Sequence, residues 1–363
     1  MMKEVNRTKA HGDSLAKLAQ GEVANIDGKV RPFMESESVP GMVVGIFNHG
    51  ETLLAKGYGL ADVARGVPVN PNMAFQIGSI GKSFVSAAIM MLVENNELSL
   101  DDSIYNYFRD APESWRNIKI KHLLSHTSGL KEYLDRPSDL DSPMTLRATL
   151  DYTENEIASV VESFPVEFGP GQKYSYTNTN YMLLGIIIHR ITGMHYFDFL
   201  EERIFKPLGM DSVRQGLLKT RPRDGPRGYE LKEGNVKPIG HISDTFNSTA
   251  DGTLYCNVFD LAKWDAALYG ERLLKRSSLN DIFTVFKLNN GEPNEGGYGF
   301  GWFIKEANSR RIIEHTGNWG GFTSVMSRYV DDGFSVIIMC NLDFDTSDKI
   351  AGLAHSISGL IKR

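Results

Sequence analysis

The strand-like segments of this chain lie at its two ends, with a helical stretch between them. MVVGIF (42–47), the turn Asn48-His49-Gly50 and TLLAKGYG (52–59) have the β-branched and apolar content of a hairpin. Four more runs close the chain: YGFGWFI (298–304), RIIEHTG (311–317), FTSVMSRYV (322–330) and FSVIIMCNL (334–342). Asp331-Asp332-Gly333, between the last two, is a hairpin turn signal. Runs so far apart bury their apolar faces most simply by meeting in one sheet. The intervening pattern predicts helices at about 81–94, 155–163, 179–192, 196–205 and 259–269. A helix from Ser14 to about Ser38 and a last one carrying Ile350, Leu353, Ala354 and Ile357 would cover the sheet. The expectation is an α/β (α+β) fold: an antiparallel sheet from both chain ends (14–80 and 295–363), flanked by helices, with a large, mostly helical region (81–294) inserted. Arg214 to Asn247, rich in Gly, Pro and charge, reads as a long surface loop.

The chain has 363 residues and a formal net charge of −6 with no basic cluster, which argues against nucleic acid as a partner. Its two cysteines, Cys256 and Cys340, cannot staple a fold of this size and read as buried thiols. Apolar runs such as FVSAAIMMLV and YMLLGIII fall short of the roughly 20 residues that span a bilayer, so no transmembrane segment is expected. The polar N-terminus lacks a secretory h-region, which favours the cytoplasm, or a secreted or periplasmic location if the chain is a mature form. Oligomeric state is not legible.

Chemistry concentrates in three short motifs. Ser79-Ile80-Gly81-Lys82 precedes SFVSAAIMMLV, which is apolar all round and predicts a buried helix. If Ser79 opens that helix, Lys82 projects from the same face one turn later, within reach of the hydroxyl proton. A serine needs such a base to become a nucleophile, and a desolvated lysine can serve if its pKa falls. The spacing alone is weak, since Ser14-Leu15-Ala16-Lys17 matches it in polar surroundings. Tyr176-Thr177-Asn178 lies ahead of another apolar helix. Positive charge beside Tyr176 would let its phenol ionise below about 10 and act as general base, with Asn178 orienting Lys82 or the substrate. A second match, Tyr255-Cys256-Asn257, reads as core. His315-Thr316-Gly317 ends a predicted strand ahead of Asn318, and an edge strand there would place the Asn318 N–H with that of Ser79 as oxyanion donors.

Together these motifs resemble the serine β-lactamase and penicillin-binding-protein superfamily, in the branch of class C β-lactamases, D-alanyl-D-alanine carboxypeptidases, D-aminopeptidases and related carboxylesterases. The resemblance runs from PGMVVGIF through FQIGSIGKSF, LLSHTSGL and the Tyr176 segment to HTGNWGGF. It implies a β-lactamase/transpeptidase-like fold forming one catalytic unit, Ser79 as nucleophile, Lys82 as its proton partner and Tyr176 as acid and base. Asn178, His315, Thr316, Gly317 and Asn318 become pocket residues. No cofactor and no metal are implied; the partner is a small ester, peptide or β-lactam. His315 stands where the β-lactamases carry a lysine that holds the antibiotic carboxylate, so an esterase or D-peptidase with weak or no β-lactamase activity is expected.

Two rival readings remain. His122 and His126 sit at the i, i+4 spacing of a zinc helix, without the glutamate of H-E-x-x-H. A non-catalytic, peptide-binding member of the fold is the other. No G-x-S-x-G occurs, so an α/β-hydrolase elbow is absent. Tyr133, Trp319, Phe322 and the 214–247 loop are expected near the pocket, the aromatics reading equally well as core.

Overall fold

The structure, a computed structural model, describes residues 15–134, 146, 149–217, 225–307, 310–344 and 347–361. The principal sheet combines β1 (Leu15–Ala16), β2 (Gly41–Asn48) and β3 (Glu51–Asp62) with β4 (Phe303–Ala307), β5 (Arg310–Trp319), β6 (Phe322–Tyr329) and β7 (Phe334–Cys340). Its order is β1-β3-β2-β7-β6-β5-β4, antiparallel throughout, with the short strand Val67–Pro68 paired to β3. The two chain ends meet where β2 lies against β7, for example Val44 opposite Ile338. The β2–β3 turn works because His49 and Gly50 both take positive φ, at 46° and 83°.

Alternation along the central strands sends side chains to two cores. Met42, Val44, Ile46, Val336 and Ile338 face one core, completed by Ile26 and Val30 of α1 (Gln20–Ser36) and by Ile350, Leu353, Ala354 and Ile357 of the C-terminal helix Asp348–Ser358. Val43, Phe47, Ile337 and Met339 face the other, where α2 (Lys82–Glu94) packs with α3 (Ile120–Leu124), α4 (Glu154–Glu162), α5 (Asn178–Thr192) and α6 (Val258–Ala267). Burial on both faces explains why these strands read as unbroken apolar runs rather than as alternating ones.

The structure corrects several expectations. The first helix begins at Gln20, not Ser14: Leu15 and Ala16 pair with β3, and the Glu22 carboxylate accepts from the Ala19 N–H to start the helix. Ser14 of the decoy motif lies outside the described residues. The strand expected over 298–304 begins only at Phe303, because Gly301 at φ 77° turns the chain just before it. The 214–247 segment is more ordered than a loop: Arg214–Gln215 pairs with Leu254–Cys256, and Tyr229–Lys232 forms a hairpin with Asn235–Pro238, while 218–224 lies outside the described residues. Among the described residues no helix is long and apolar enough to cross a membrane, and Cys256 and Cys340 are buried and free.

Candidate active site

Ser79 does not open the long helix itself. It sits in a single 3-10 turn, Gly78–Gly81, that runs straight into α2 at Lys82. The turn is held from three sides: Ile77 N–H donates to the Leu254 carbonyl (2.8 Å), the Ile77 carbonyl accepts from Ser324 Oγ (2.7 Å), and Gly317 of β5 packs on that same carbonyl. Downstream, α2 is anchored by Phe84, whose ring lies 4.7 Å from Trp264 and 5.2 Å from Phe205. A helix buried on every side cannot rotate, so the offset between Ser79 and Lys82 is fixed by packing.

Lys82 is fully buried, yet each of its three N–H donors has an acceptor. Nζ lies 2.9 Å from Ser79 Oγ and 2.8 Å from Asn178 Oδ1, and it also donates to the backbone carbonyl of Asp251. Burial lowers the Lys82 pKa to about 8, with Asp251 and Glu132 pulling the other way. An amine with that value is available in both protonation states near neutral pH.

Tyr176 joins the pair from the loop before α5. Lys82 Nζ lies 5.1 Å from the Tyr176 ring centroid, and the phenol interacts with the Ser79 hydroxyl. The expected low phenol pKa is not found: burial pushes it well above its ordinary value, Ser79 offsets this only in part, and Asp251 and Glu132 raise it further. Desolvation of the phenolate outweighs the nearby ammonium, so Tyr176 stays protonated at neutral pH.

The third motif forms the facing wall. β5 is internal to the sheet, not an edge strand, but its pairing with β4 ends at Glu314, so 315–319 have an open side toward Ser79. Gly78 takes φ 50°, and a Cβ there would come within 2.5 Å of the Asn318 nitrogen; a Cβ on Gly317 would stand 1.9 Å from the Ile77 carbonyl oxygen. Glycine is therefore what lets strand and turn touch. The resulting cavity, about 340 Å³, is lined by Ser79, Tyr176, Asn178, His315, Thr316 and Asn318, with Asp251, Phe303 and Trp319 among the others. Thr316 Oγ1 accepts from Ser347, and Asn318 Nδ2 donates to the Phe344 carbonyl.

His315 is chemically inert where it stands. Its Nδ1 lies 2.6 Å from the Thr316 carbonyl, which can only accept, so Nδ1 carries the proton and Nε2 accepts from Tyr298 O–H at 2.9 Å. Burial, reinforced by Lys82, lowers its pKa to about 3, leaving a neutral ring with both nitrogens engaged.

Of the expected aromatics, Trp319 lines the cavity and donates to Asn247, Phe322 is core against Phe75 and Tyr255, and Tyr133 is buried with its hydroxyl on Asp251 Oδ2 (2.9 Å). Asn257 of the second Tyr-x-Asn match accepts from the Asp260 N–H at the start of α6. His122 and His126 do not share a helix face, because α3 stops at Leu124 and His126 takes φ 56°. Nδ1 of His122 accepts from Lys119 N–H, and His126 meets Thr177 N–H and the Asn180 amide. Among the described residues no cluster of three His, Cys, Asp or Glu side chains is arranged to hold a metal.

Sequence reasoning missed Glu132 and Asp251. Glu132 accepts from the Asn178 N–H at 2.7 Å, and Tyr133 holds Asp251, so one short segment fixes both residues whose oxygens grip Lys82. Neither acid stands in a recognisable motif; the one cue is that Glu132 and Tyr133 lie three and four residues after Gly129 of the Ser128-Gly129 turn.

The family model described as Beta-lactamase matches residues 26–356. Penicillin-binding protein 4* of Bacillus subtilis (strain 168) is 30% identical over 317 residues, covering 82% of this chain and 67% of its own length. The chain thus spans about two thirds of the length of the curated relatives it matches. The octameric penicillin-binding protein homologue from Pyrococcus abyssi superposes with a TM-score of 0.78 at 26% identity, over 93% of this chain and 77% of that one. The D-amino acid amidase from Ochrobactrum anthropi SV3, complexed with L-phenylalanine amide, gives a TM-score of 0.76 at 26% identity over 93% and 99%. With the family match extending over most of its length and a sheet built from both chain ends, the chain belongs to the Beta-lactamase family.

Proposed function

We propose that the protein is a serine hydrolase that opens ester or amide carbonyls through an acyl-enzyme on Ser79. The observation that carries this reading is the threefold contact of Lys82 Nζ with Ser79 Oγ, Asn178 Oδ1 and the Asp251 carbonyl. A neutral Lys82 keeps two N–H groups on the two carbonyl oxygens and is left with its lone pair facing the Ser79 hydroxyl. That is the orientation a general base needs.

In this reading Lys82 removes the Ser79 proton as Ser79 Oγ bonds to the carbonyl carbon, and the N–H groups of Ser79 and Asn318 stabilise the oxyanion. Tyr176, held protonated by burial, gives its proton to the leaving group and recovers one from the Lys82 ammonium, which holds the proton taken from Ser79. Water then attacks the acyl-enzyme by the reverse route. The likeness to a D-amino acid amidase supports amide as well as ester substrates. The neutral, fully engaged His315 supplies no cation for a substrate carboxylate, which disfavours β-lactams.

A panel of p-nitrophenyl butyrate, D-alanyl peptides and nitrocefin tests the assignment. Turnover of the ester or peptide that disappears in Ser79→Ala, with nitrocefin slow or inert, supports it. Turnover that survives Ser79→Ala removes it.

A further inference from the structure

The sequence shows no basic cluster, yet the fold assembles one apart from the Ser79 cavity. A second cavity, of about 320 Å³, is lined by Arg276, Arg311 and Arg328 and shares no residue with the first. The three arginines come from three segments: the helix Arg276–Ile282, β5 and β6. Ile313 pairs opposite Arg328, and alternation puts Arg311 on the same face as Ile313, so both strands present an arginine to one side of the sheet. Among the described residues no Asp or Glu lines this cavity, in a chain whose formal net charge is −6.

Arg328 is the inner member, only 1% exposed. Its guanidinium lies 4.9 Å from the ring centroid of Tyr269 and 5.1 Å from that of Phe283, and both rings belong to lining residues. Nε donates to Asp265 Oδ1 at 2.6 Å and Nη2 to the Asp265 carbonyl at 3.4 Å, but Nη1 and the Tyr269 hydroxyl are buried without a hydrogen-bond partner. An unmet donor on a buried charge is costly, and a bound ion is one partner that satisfies such a group. The outer two arginines are exposed, and each is steadied by a backbone carbonyl: Arg276 Nη2 donates to Tyr269 at 2.9 Å and Arg311 Nη2 to Phe283 at 2.8 Å. All three guanidinium groups thus gather around one pair of residues. Against them stand the buried Asp265 and, at the surface, Glu271, 3.7 Å from Arg276, and Asp331, which acts on Tyr269. Solvent screens the two surface carboxylates, so the cavity keeps an excess of positive charge.

We propose that this cavity is a second ligand site that takes a phosphate dianion, free or as the head of a compact monoester whose body lies on Leu268, Ile313 and Val330. A phosphate offers three acceptor oxygens to the three guanidinium groups, where a carboxylate offers two. The site stands independently of the hydrolase reading.

Calorimetric titration at pH 7 compares phenyl phosphate, inorganic phosphate and benzoate on the unmutated protein and on Arg276→Gln/Arg311→Gln. Both substitutions are at exposed positions and leave the buried Arg328–Asp265 pair intact, so the fold should survive them. The expected result is phenyl phosphate bound at least about tenfold tighter than benzoate, and at least about tenfold weaker in the double variant, as for charge-assisted hydrogen bonds. Lys29→Gln/Arg31→Gln, an equal change of charge on α1 across the sheet, should leave that affinity unaltered. Inorganic phosphate bound more weakly than phenyl phosphate supports a monoester as the ligand; equal affinity for the two supports free phosphate. Phosphate binding that is absent, no tighter than that of benzoate, unchanged in Arg276→Gln/Arg311→Gln, or weakened equally by both double variants overturns the proposal.

Discussion

Ser79 Oγ and Lys82 Nζ lie 2.9 Å apart, and the amine is so enclosed by Asn178 and Asp251 that its one remaining hydrogen-bonding direction is the hydroxyl. Removing the amine in Lys82→Ala, or the phenol proton in Tyr176→Phe, should each lower kcat by at least about a hundredfold with the fold intact. Steady-state kinetics beside circular dichroism check this; near-normal rates in both variants contradict it.

In the proposed mechanism Lys82 is a base only when neutral, and its pKa is lowered to about 8 by burial. kcat/KM should therefore climb about tenfold per pH unit below that value and level off above it. Glu132 favours the ammonium, so Glu132→Gln removes an attraction and should move the inflection to lower pH. A pH profile whose inflection stays put or moves upward in the variant argues against this electrostatic link.

Gly317 touches the Ile77 carbonyl so closely that a methyl group has no room. Gly317→Ala should push β5 away from the nucleophile turn and separate the two oxyanion donors, costing on the order of a hundredfold or more in kcat. Its KM should change far less. An active, fully folded Gly317→Ala enzyme would show that the contact does not set the oxyanion geometry.

Acid should destabilise the fold in a defined window. Burial lowers His122 to about 4 and His315 to about 3, so the unfolded chain, near 6.5, takes up protons first. Their neutral forms cost nothing above about pH 6.5, and stability is lost as pH falls from there toward those folded values. Glu314 acts in the same direction: burial alone would raise it, but His355 and Lys305 hold it at about 2, a contribution lost as pH drops below about 4.5. Thermal melts should show Tm falling from pH 6.5 downward and more steeply below 4.5. A flat Tm between pH 6.5 and 3 contradicts the assignment.

The sheet was legible because the strand runs of β2, β3, β6 and β7 are long and bounded by turn residues, and β2 and β7, buried on two faces, are apolar almost throughout. That Ser79, Lys82 and Tyr176 lie together was legible through motif order, which a single match such as Tyr255-Cys256-Asn257 lacks. Asp251 and Glu132 were not, since what they do depends on packing between segments 118 and 46 residues apart in the chain. The Tyr176 phenol was misjudged for the same reason: sequence showed the positive neighbour, whereas burial, a tertiary property, decides the sign. The start of the first helix was missed because pairing with β3, not local propensity, claims Leu15 and Ala16.

Covalent labelling by a fluorophosphonate, read by intact-protein and peptide mass spectrometry, tests the nucleophile assignment most directly. The account predicts one adduct, located on Ser79, absent in Ser79→Ala and formed far more slowly in Lys82→Ala. An unlabelled but folded protein, or an adduct that persists without Ser79, would contradict it.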